Sequence, residues 1–471
     1  MIFTALDSVI FVVVLVGLVG VGLRAARRVK TSSDWLVAGR NMGFWTLLGT
    51  LVMTELNTAT MLAFSGAAYA VGPRALTLPL VFLVGLMVYA LTVARRYKRL
   101  NATSVAELYG ARFGPGLQRL ASVCFLVAML GFVATYVRSA EVVFAPVLSG
   151  WVGMPLSPWV TSAVLVALVL VVTLGGGLMA VAASDLAAFA LTVVGLPVFA
   201  WVAWSSAGGT EALTQLVAQL PPGEDVMPTR FIIALMLLTT ATYVASPWYG
   251  QRMFAAKDER TAFSAVALSA ILVTGLYVAA SVVAICVRMA LPPLPNAESA
   301  LPQALIAWAP SGLRGLGFAV LLGIVITTMS SIWNTWVAMA VTDFIPVTGL
   351  KASRLVTIAL ALVSWFIANL MPDGILGNMI LANIPIAALL FGLMGGLYWR
   401  GASKAGAWAA TITGVVGAVT CWWTLPVYEW WWAVVAVPVS VGAGVVVSLS
   451  HPDPPGQSDA FYARTGAPLI G

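Results

Sequence analysis

Long runs of apolar residues alternate with short polar segments along the whole chain. A helix needs about 20 apolar residues to cross the hydrocarbon core of a bilayer, and a window of that length finds thirteen candidates. The pattern therefore predicts an all-α integral membrane protein. The thirteen transmembrane helices are expected near 5–26, 43–70, 75–95, 117–147, 155–174, 178–206, 228–252, 261–291, 312–342, 353–371, 375–399, 404–424 and 429–449.

Composition agrees with this pattern and excludes several classes of protein. The 471 residues are 61% hydrophobic and 9% charged, whereas a soluble domain has about 45–50% apolar and about 25% charged residues. The three cysteines lie in apolar segments without metal or disulfide spacing, and the one histidine, His451, follows the last helix. We therefore expect no transition metal, no cofactor, no nucleic-acid partner and no enzyme, since enzyme chemistry needs a nucleophile–base or metal constellation.

Charge predicts the orientation in the membrane. If the N-terminus lies outside, most of the 24 Lys and Arg residues fall in the inner connections, as the positive-inside rule requires. Among them we count Arg252, at the inner end of the seventh helix. We predict a multi-pass protein of the cell (inner) membrane with a cytoplasmic C-terminus. The tail from His451 is rich in Pro, Gly and Ser and is expected to be too short to fold.

Two of the predicted helices carry polar residues at mid-depth. The segment TELNTAT (54–60) interrupts the second helix, and TTATYVASP (239–247) interrupts the seventh. Polar stretches at this depth usually line a cavity. Paired interruptions in two halves of a chain indicate a transporter's binding site, and these begin two consecutive five-helix groups, helices 2–6 and 7–11. The alternative is that the Ser and Thr hydroxyls bond carbonyls of their own helices.

The candidate solute ligands carry charges of both signs. Glu55 suits a cationic group or sodium, and the planar guanidinium of Arg138 suits a carboxylate. An amino acid or an organic carboxylate is therefore the expected solute. Arg138 and Glu141 lie one helical turn apart, so a local ion pair is an equal alternative for them. The full candidate set is Glu55, Asn57, Thr58, Thr60, Arg138, Glu141, Thr242, Tyr243 and Asn334.

The ninth helix carries a dense cluster of hydroxyl groups. Thr327, Ser330 and Ser331 share one face of it, and Thr328 points about 100° further round. Hydroxyl and carbonyl oxygens suit a hard cation such as sodium. Asp185 in the sixth helix could complete such a site, because a carboxylate at mid-bilayer costs at least about 2.5 kcal/mol and normally has a partner or a function. The alternatives are close helix packing for the hydroxyls and an inner water-filled vestibule for Asp185.

Three segments resemble the sodium:solute symporter family, which includes bacterial proline, sialic acid and galactose symporters and animal sodium–glucose carriers. Residues 33–40 (SDWLVAGR), followed by 65–69 (SGAAY), resemble the family's segment at the start of the second helix. Residues 249–257 (YGQRMFAAK) are similar to its segment after the seventh helix. Residues 176–185 resemble a third segment, with Ser184 in place of a threonine. The resemblance covers nearly the whole chain.

The resemblance implies a LeuT-type fold with a five-plus-five inverted repeat. It divides the chain into residues 1–42 (first helix and basic inner loop), 43–206 (first repeat), 207–400 (second repeat), 401–450 (helices 12 and 13) and 451–471 (cytoplasmic tail). It further implies a general sodium site formed by the carbonyls of Met53, Leu56 and Ile324 and the hydroxyls of Thr327 and Thr328. A second sodium is expected at Asp185, Thr327, Ser330 and Ser331.

The expected activity is sodium-driven import of a small organic solute by alternating access, by a monomer in the lipid bilayer. Glu55 lies where the proline carriers have an aspartate and the sugar carriers a neutral residue, which argues against a sugar. Two alternatives keep the same fold. One is a proton-coupled carrier or uniporter, with Asp185 or Glu55 as the proton site, and the other is a transport-like sensor.

Overall fold

The computed structural model describes residues 3–27, 29–100, 102–344, 350–371, 374–424, 431–466 and 468. Within these ranges the regular secondary structure is helical throughout. We number the helices that correspond to the predicted segments α1 to α13. They are α1 Ala5–Ala26, α2a Phe44–Glu55, α2b Thr58–Val71, α3 Leu80–Leu100, α4 Pro115–Val152, α5 Pro158–Leu174, α6 Gly177–Ser206, α7a Thr229–Ala245, α7b Pro247–Ala255, α8 Glu259–Ala290, α9 Leu313–Asp343, α10 Lys351–Ala368, α11 Ile375–Tyr398, α12 Lys404–Thr424 and α13 Trp431–Ser450.

The described residues form ten to twelve apolar spans, fewer than the thirteen expected. Ten helices are long and apolar enough by themselves, and α2 and α7 qualify as pairs bent by 55° and 40°. The remaining segment, α5, has a described apolar stretch of 17 residues and continues into α6.

Helix α9 lies at the centre of the bundle and α1 at its edge. In the most apolar window of each helix, 83% of the α9 residues are buried, compared with 22% for α1. Helix α9 packs against α1, α4 and the α5–α6 pair. The hydroxyl residues of α9 therefore face protein rather than lipid.

Two of the segments that carry the family resemblance pack against each other at a glycine. Helices α5 and α6 run on from one another, and Gly177 at their junction has a φ of +53°. A Cβ atom there would lie 2.6 Å from the ring and the carbonyl oxygen of Trp35. Glycine is therefore required both by the backbone conformation and by the close approach of Trp35.

The C-terminal tail packs against the ends of the bundle helices. Residues Asp459–Thr465 form a short helix, and the Tyr462 hydroxyl donates to the carbonyls of Gly396 at 3.0 Å and Trp399 at 3.1 Å. The expectation that the tail does not fold is wrong for this segment. Packing against the bundle stabilises a helix too short to be stable alone.

Candidate ion and solute site

The break in α2 leaves two backbone carbonyls without their helical partners. The Asn57 side chain caps α2b by accepting from the Thr60 N–H at 2.7 Å, and the Asn57 N–H donates to the Tyr277 hydroxyl at 3.1 Å. In a continuous helix these two N–H groups would bond the carbonyls of Leu56 and Met53, four residues earlier. The sequence of the break therefore frees both oxygens inside the bundle.

The freed carbonyls face the hydroxyl of Thr328 on α9. Thr328 Oγ1 lies 3.1 Å from the Met53 carbonyl oxygen and 3.5 Å from that of Leu56. We call these three groups the Thr328 site. It consists of neutral oxygens, which suit a hard monovalent cation, and unwound carbonyls of broken helices are where transporters coordinate sodium.

The other two predicted ligands of the general sodium site contact each other. Thr327 Oγ1 donates to the Ile324 carbonyl at 3.1 Å. Its side chain also lines a small cavity together with Leu18 of α1 and Ser184 of α6. Thr327 therefore faces α1 and α6 in this structure, while Thr328 faces the break in α2.

A small cavity lies beside this break. Five of the nine predicted solute ligands line it: Glu55, Asn57, Thr60, Thr242 and Tyr243. Aromatic rings form much of the remaining wall, contributed by Phe64, Phe82, Phe132, Tyr136 and Trp248. Among the described lining residues, Glu55 is the one charged side chain.

Glu55 connects the two broken helices. The Tyr243 hydroxyl on α7a donates to the Glu55 carboxylate, and the Tyr277 hydroxyl donates to the Glu55 carbonyl at 2.6 Å. The Glu55 side chain is buried. No Lys or Arg in the described part of the chain lies within ion-pair distance of this carboxylate. A buried carboxylate without a cationic partner is unfavourable until a cation arrives.

The break in α7 lies at Ser246–Pro247, where the sequence predicted it. The ring of Pro247 begins α7b, and Ser246 has an extended backbone between the two halves. Thr242 donates to the Leu238 carbonyl of its own helix at 2.9 Å and lies 3.5 Å from the Asn383 carbonyl. The Thr242 hydroxyl therefore bonds a carbonyl of its own helix, as the alternative interpretation of these polar segments predicted. Its side chain also lines the cavity.

Asp185 lies in a second buried group of polar side chains, together with a residue that the sequence argument missed. The Thr50 hydroxyl donates to the Asp185 carboxylate. The guanidinium of Arg252 lies 3.9 Å from that carboxylate, and it donates to the hydroxyls of Thr50 at 3.1 Å and Ser331 at 2.8 Å. We call Thr50, Asp185, Arg252 and Ser331 the Asp185 cluster.

Arg252 is not the exposed basic residue that the charge count assumed. Its side chain is 0% exposed, because it lies on α7b, which is buried in the bundle along its whole length. The one sequence signal was its place within the Tyr249–Lys257 segment, which resembles the family. Ser330, another predicted ligand here, lies 2.9 Å from the Thr173 hydroxyl.

Four predicted solute ligands do not line the cavity. Arg138 and Glu141 form an ion pair at 3.0 Å on α4. The Thr58 hydroxyl lies 2.9 Å from that of Ser139. The Asn334 amide is buried, with no hydrogen-bond partner among the described residues. The structure therefore brings Glu55 to the cavity without Arg138.

Comparisons with known proteins identify the relatives of this chain. A model of the sodium:solute symporter family matches residues 35–414. A sodium/glucose cotransporter from Vibrio parahaemolyticus is 23% identical over 371 residues, which are 70% of this chain and 67% of that protein.

Solved structures resemble the whole bundle. One is a Na⁺-coupled sialic acid symporter in a substrate-bound outward-open state, with a TM-score of 0.79 and 19% identity over 96% of this chain and 98% of that one. Another is MhsT in complex with L-phenylalanine, with a TM-score of 0.59 and 13% identity over 86% of this chain and 98% of that one. These likenesses confirm the predicted all-α LeuT-type fold.

Proposed function

Because this chain belongs to the sodium:solute symporter family, we propose that it couples sodium to the import of a small organic solute that carries an amino group, by alternating access. The family and the fold are those of sodium-coupled membrane transporters. The relatives and solved neighbours are named for glucose, sialic acid and phenylalanine. Their names therefore do not specify the solute of this chain. We infer the solute class from the side chains that line the cavity.

The Thr328 site is the observation that carries the sodium proposal. Its three oxygens come from a helix break and from the central helix α9, so an ion there would join two elements of the bundle. We propose the Ile324 carbonyl and the Thr327 hydroxyl as its further ligands; in this structure these two groups contact each other. Since the carbonyls of Met53 and Leu56 lack N–H partners, a sodium ion would coordinate oxygens that have no backbone hydrogen bond.

The cavity favours an amino group over a free carboxylate as the group that is recognised by charge. Glu55 supplies a buried carboxylate, and aromatic faces such as those of Phe82 and Trp248 attract ammonium groups. A carboxylate on the same solute could approach the N-terminal end of α2b, where the helix dipole is positive. An amino acid satisfies both ends, whereas a simple carboxylate leaves Glu55 unpaired.

The membrane setting completes the proposal. The distribution of Lys and Arg supports an outer N-terminus and a cytoplasmic C-terminus in the cell membrane. With that orientation, an inward sodium gradient would drive import. We propose that the monomer is the transporting unit, because both breaks and the cavity belong to one chain.

A ligand screen tests this function. The purified protein would be heated in sodium and in choline buffer with amino acids, their decarboxylated amines, matched carboxylates without an amino group, and sugars. A ligand that binds the native state raises the melting temperature in proportion to ln(1 + [L]/Kd). We expect amino acids to stabilise the protein, and to do so more strongly in sodium.

Two results would contradict the proposal. Stabilisation by sugars, or by carboxylates that lack an amino group, would refute the solute class. Stabilisation that is equal in sodium and choline but depends on pH would favour the proton-coupled alternative, with Glu55 or Asp185 as the proton site.

A further inference from the structure

The Asp185 cluster contains its own cation. We infer that the guanidinium of Arg252 holds the place that a second sodium ion would take at Asp185, so that the chain binds one sodium, at the Thr328 site. This inference rests on the proposed sodium coupling and specifies its stoichiometry. It differs from the expectation of two sodium ions, which was based on the family resemblance.

The contacts of Arg252 show that its charge is built into the cluster. Besides the Thr50 and Ser331 hydroxyls, its Nη1 donates to the Trp248 carbonyl at 3.0 Å. Each of the three guanidinium nitrogens therefore has an oxygen acceptor within 3.1 Å. Arg252 and Asp185 are both 0% exposed at their side chains, so no solvent is available to replace these partners.

Charge balance argues against adding an ion. Asp185 contributes one negative charge and Arg252 one positive charge, while Thr50 and Ser331 are neutral. A sodium ion at the same carboxylate would leave one uncompensated positive charge in a buried, low-dielectric environment. Such a charge is costly inside a membrane protein. In the Thr328 site no Lys or Arg of the described chain is within hydrogen-bond distance of the three oxygens, so an ion meets no competing cation there.

One of the three hydroxyls expected to bind the second sodium, that of Ser331, already accepts a hydrogen bond from Arg252. Ser331 Oγ accepts from Arg252 and lies 3.2 Å from the Thr54 hydroxyl. One oxygen of Asp185, Oδ1, has no partner among the described residues. Sodium would bind to this free oxygen of Asp185 in a variant that lacks the guanidinium.

The experiment counts bound sodium on the purified full-length protein by equilibrium binding of ²²Na⁺, without any solute. We expect one sodium per chain in the wild type and in Arg252→Lys, which retains the positive charge. We expect two in Arg252→Gln, with the second lost when Asp185→Asn is added. Melting curves in choline and sodium establish that each variant is folded when it is counted.

The outcomes separate this inference from the proposed function. Two sodium ions in the wild type, one of which is lost in Asp185→Asn, would overturn the inference and leave sodium coupling intact. A folded Arg252→Gln variant that still binds one sodium would also overturn it, since removing the guanidinium would then not open a second sodium site. No bound sodium in the wild type would overturn the proposed function and this inference together. If Arg252→Gln does not fold, the number of sodium ions bound by the wild type and by Arg252→Lys still tests the inference, since it predicts one in each.

Discussion

The Thr328 site and the Asp185 cluster lie one helical turn apart on α9, yet they differ in charge. Both take a hydroxyl from α9 and a group from α2a. The first consists of a threonine hydroxyl and two carbonyls freed by a helix break. The second contains a carboxylate and a guanidinium that balance each other. The difference teaches that oxygen ligands alone do not define a sodium site, because the net charge of the group decides whether an ion is needed.

The largest expected effect comes from removing the charge of Arg252. Without sodium, Arg252→Gln leaves Asp185 as a buried, unpaired carboxylate, and removing one partner of a buried pair typically costs about 3–5 kcal/mol. We therefore expect a much lower melting temperature in choline buffer, with partial recovery in sodium. Arg252→Lys is the matched control and should lose less. An Arg252→Gln protein as stable as the wild type in choline would show that the Arg252–Asp185 pair does not contribute to the stability of the fold.

Thr328→Ala should give the next largest effect, on sodium dependence. It removes a ligand of the proposed ion, and interactions of polar groups with a charge are worth about 1.5–3 kcal/mol. The sodium concentration for half-maximal uptake should therefore rise roughly ten- to hundredfold. Uptake of the amino compound found in the screen, measured at varied sodium, checks this. Thr328→Ser retains the hydroxyl and should remain near the wild type. An unchanged sodium dependence in the alanine variant would refute the site.

Glu55→Gln should weaken binding of amino compounds by about tenfold, because it removes the charge but retains the shape. Glu55→Asp retains the carboxylate and serves as the control. Kd values for an amino acid and for its matched carboxylate, obtained from thermal shifts, provide the measurement. Equal losses for both ligands would mean that Glu55 supports the cavity rather than the amino group.

The smallest effect is expected at Arg138, outside the cavity wall. Arg138→Lys retains the charge but loses the planar fork, so a carboxylate-binding role would weaken solute affinity. Because Arg138 pairs with Glu141 at 3.0 Å, we expect the solute Kd to change by less than about twofold and only expression to fall. A clear loss of affinity with normal folding would return Arg138 to the solute site.

The hydrophobic pattern was sufficient to predict an all-α membrane bundle and both helix breaks, whereas the LeuT-type fold was implied by the family resemblance. The polar segments around Asn57 and Ser246 interrupt apolar runs, and in a membrane such interruptions have few structural solutions. The family resemblance supplied Met53 and Leu56, whose role depends on backbone oxygens that no side-chain pattern reveals.

The sequence could not predict the partner of Asp185. Arg252 belongs to a different predicted helix, and its position near a basic segment made it look like a loop residue. It is buried because the whole of α7b packs inside the bundle. In the same way, the choice between Arg138 as solute ligand and as ion-pair partner depends on which way α4 faces. That is a property of packing between helices, which periodicity within one helix does not determine.

The most direct test of the Thr328 site follows the melting temperature of the wild type and of Thr328→Ala as sodium replaces choline at constant ionic strength. Binding to the native state makes the melting temperature rise with ion concentration. The account predicts a rise in the wild type and almost none in Thr328→Ala over the same range. A wild type indifferent to sodium, or a variant that responds as the wild type does, would contradict it.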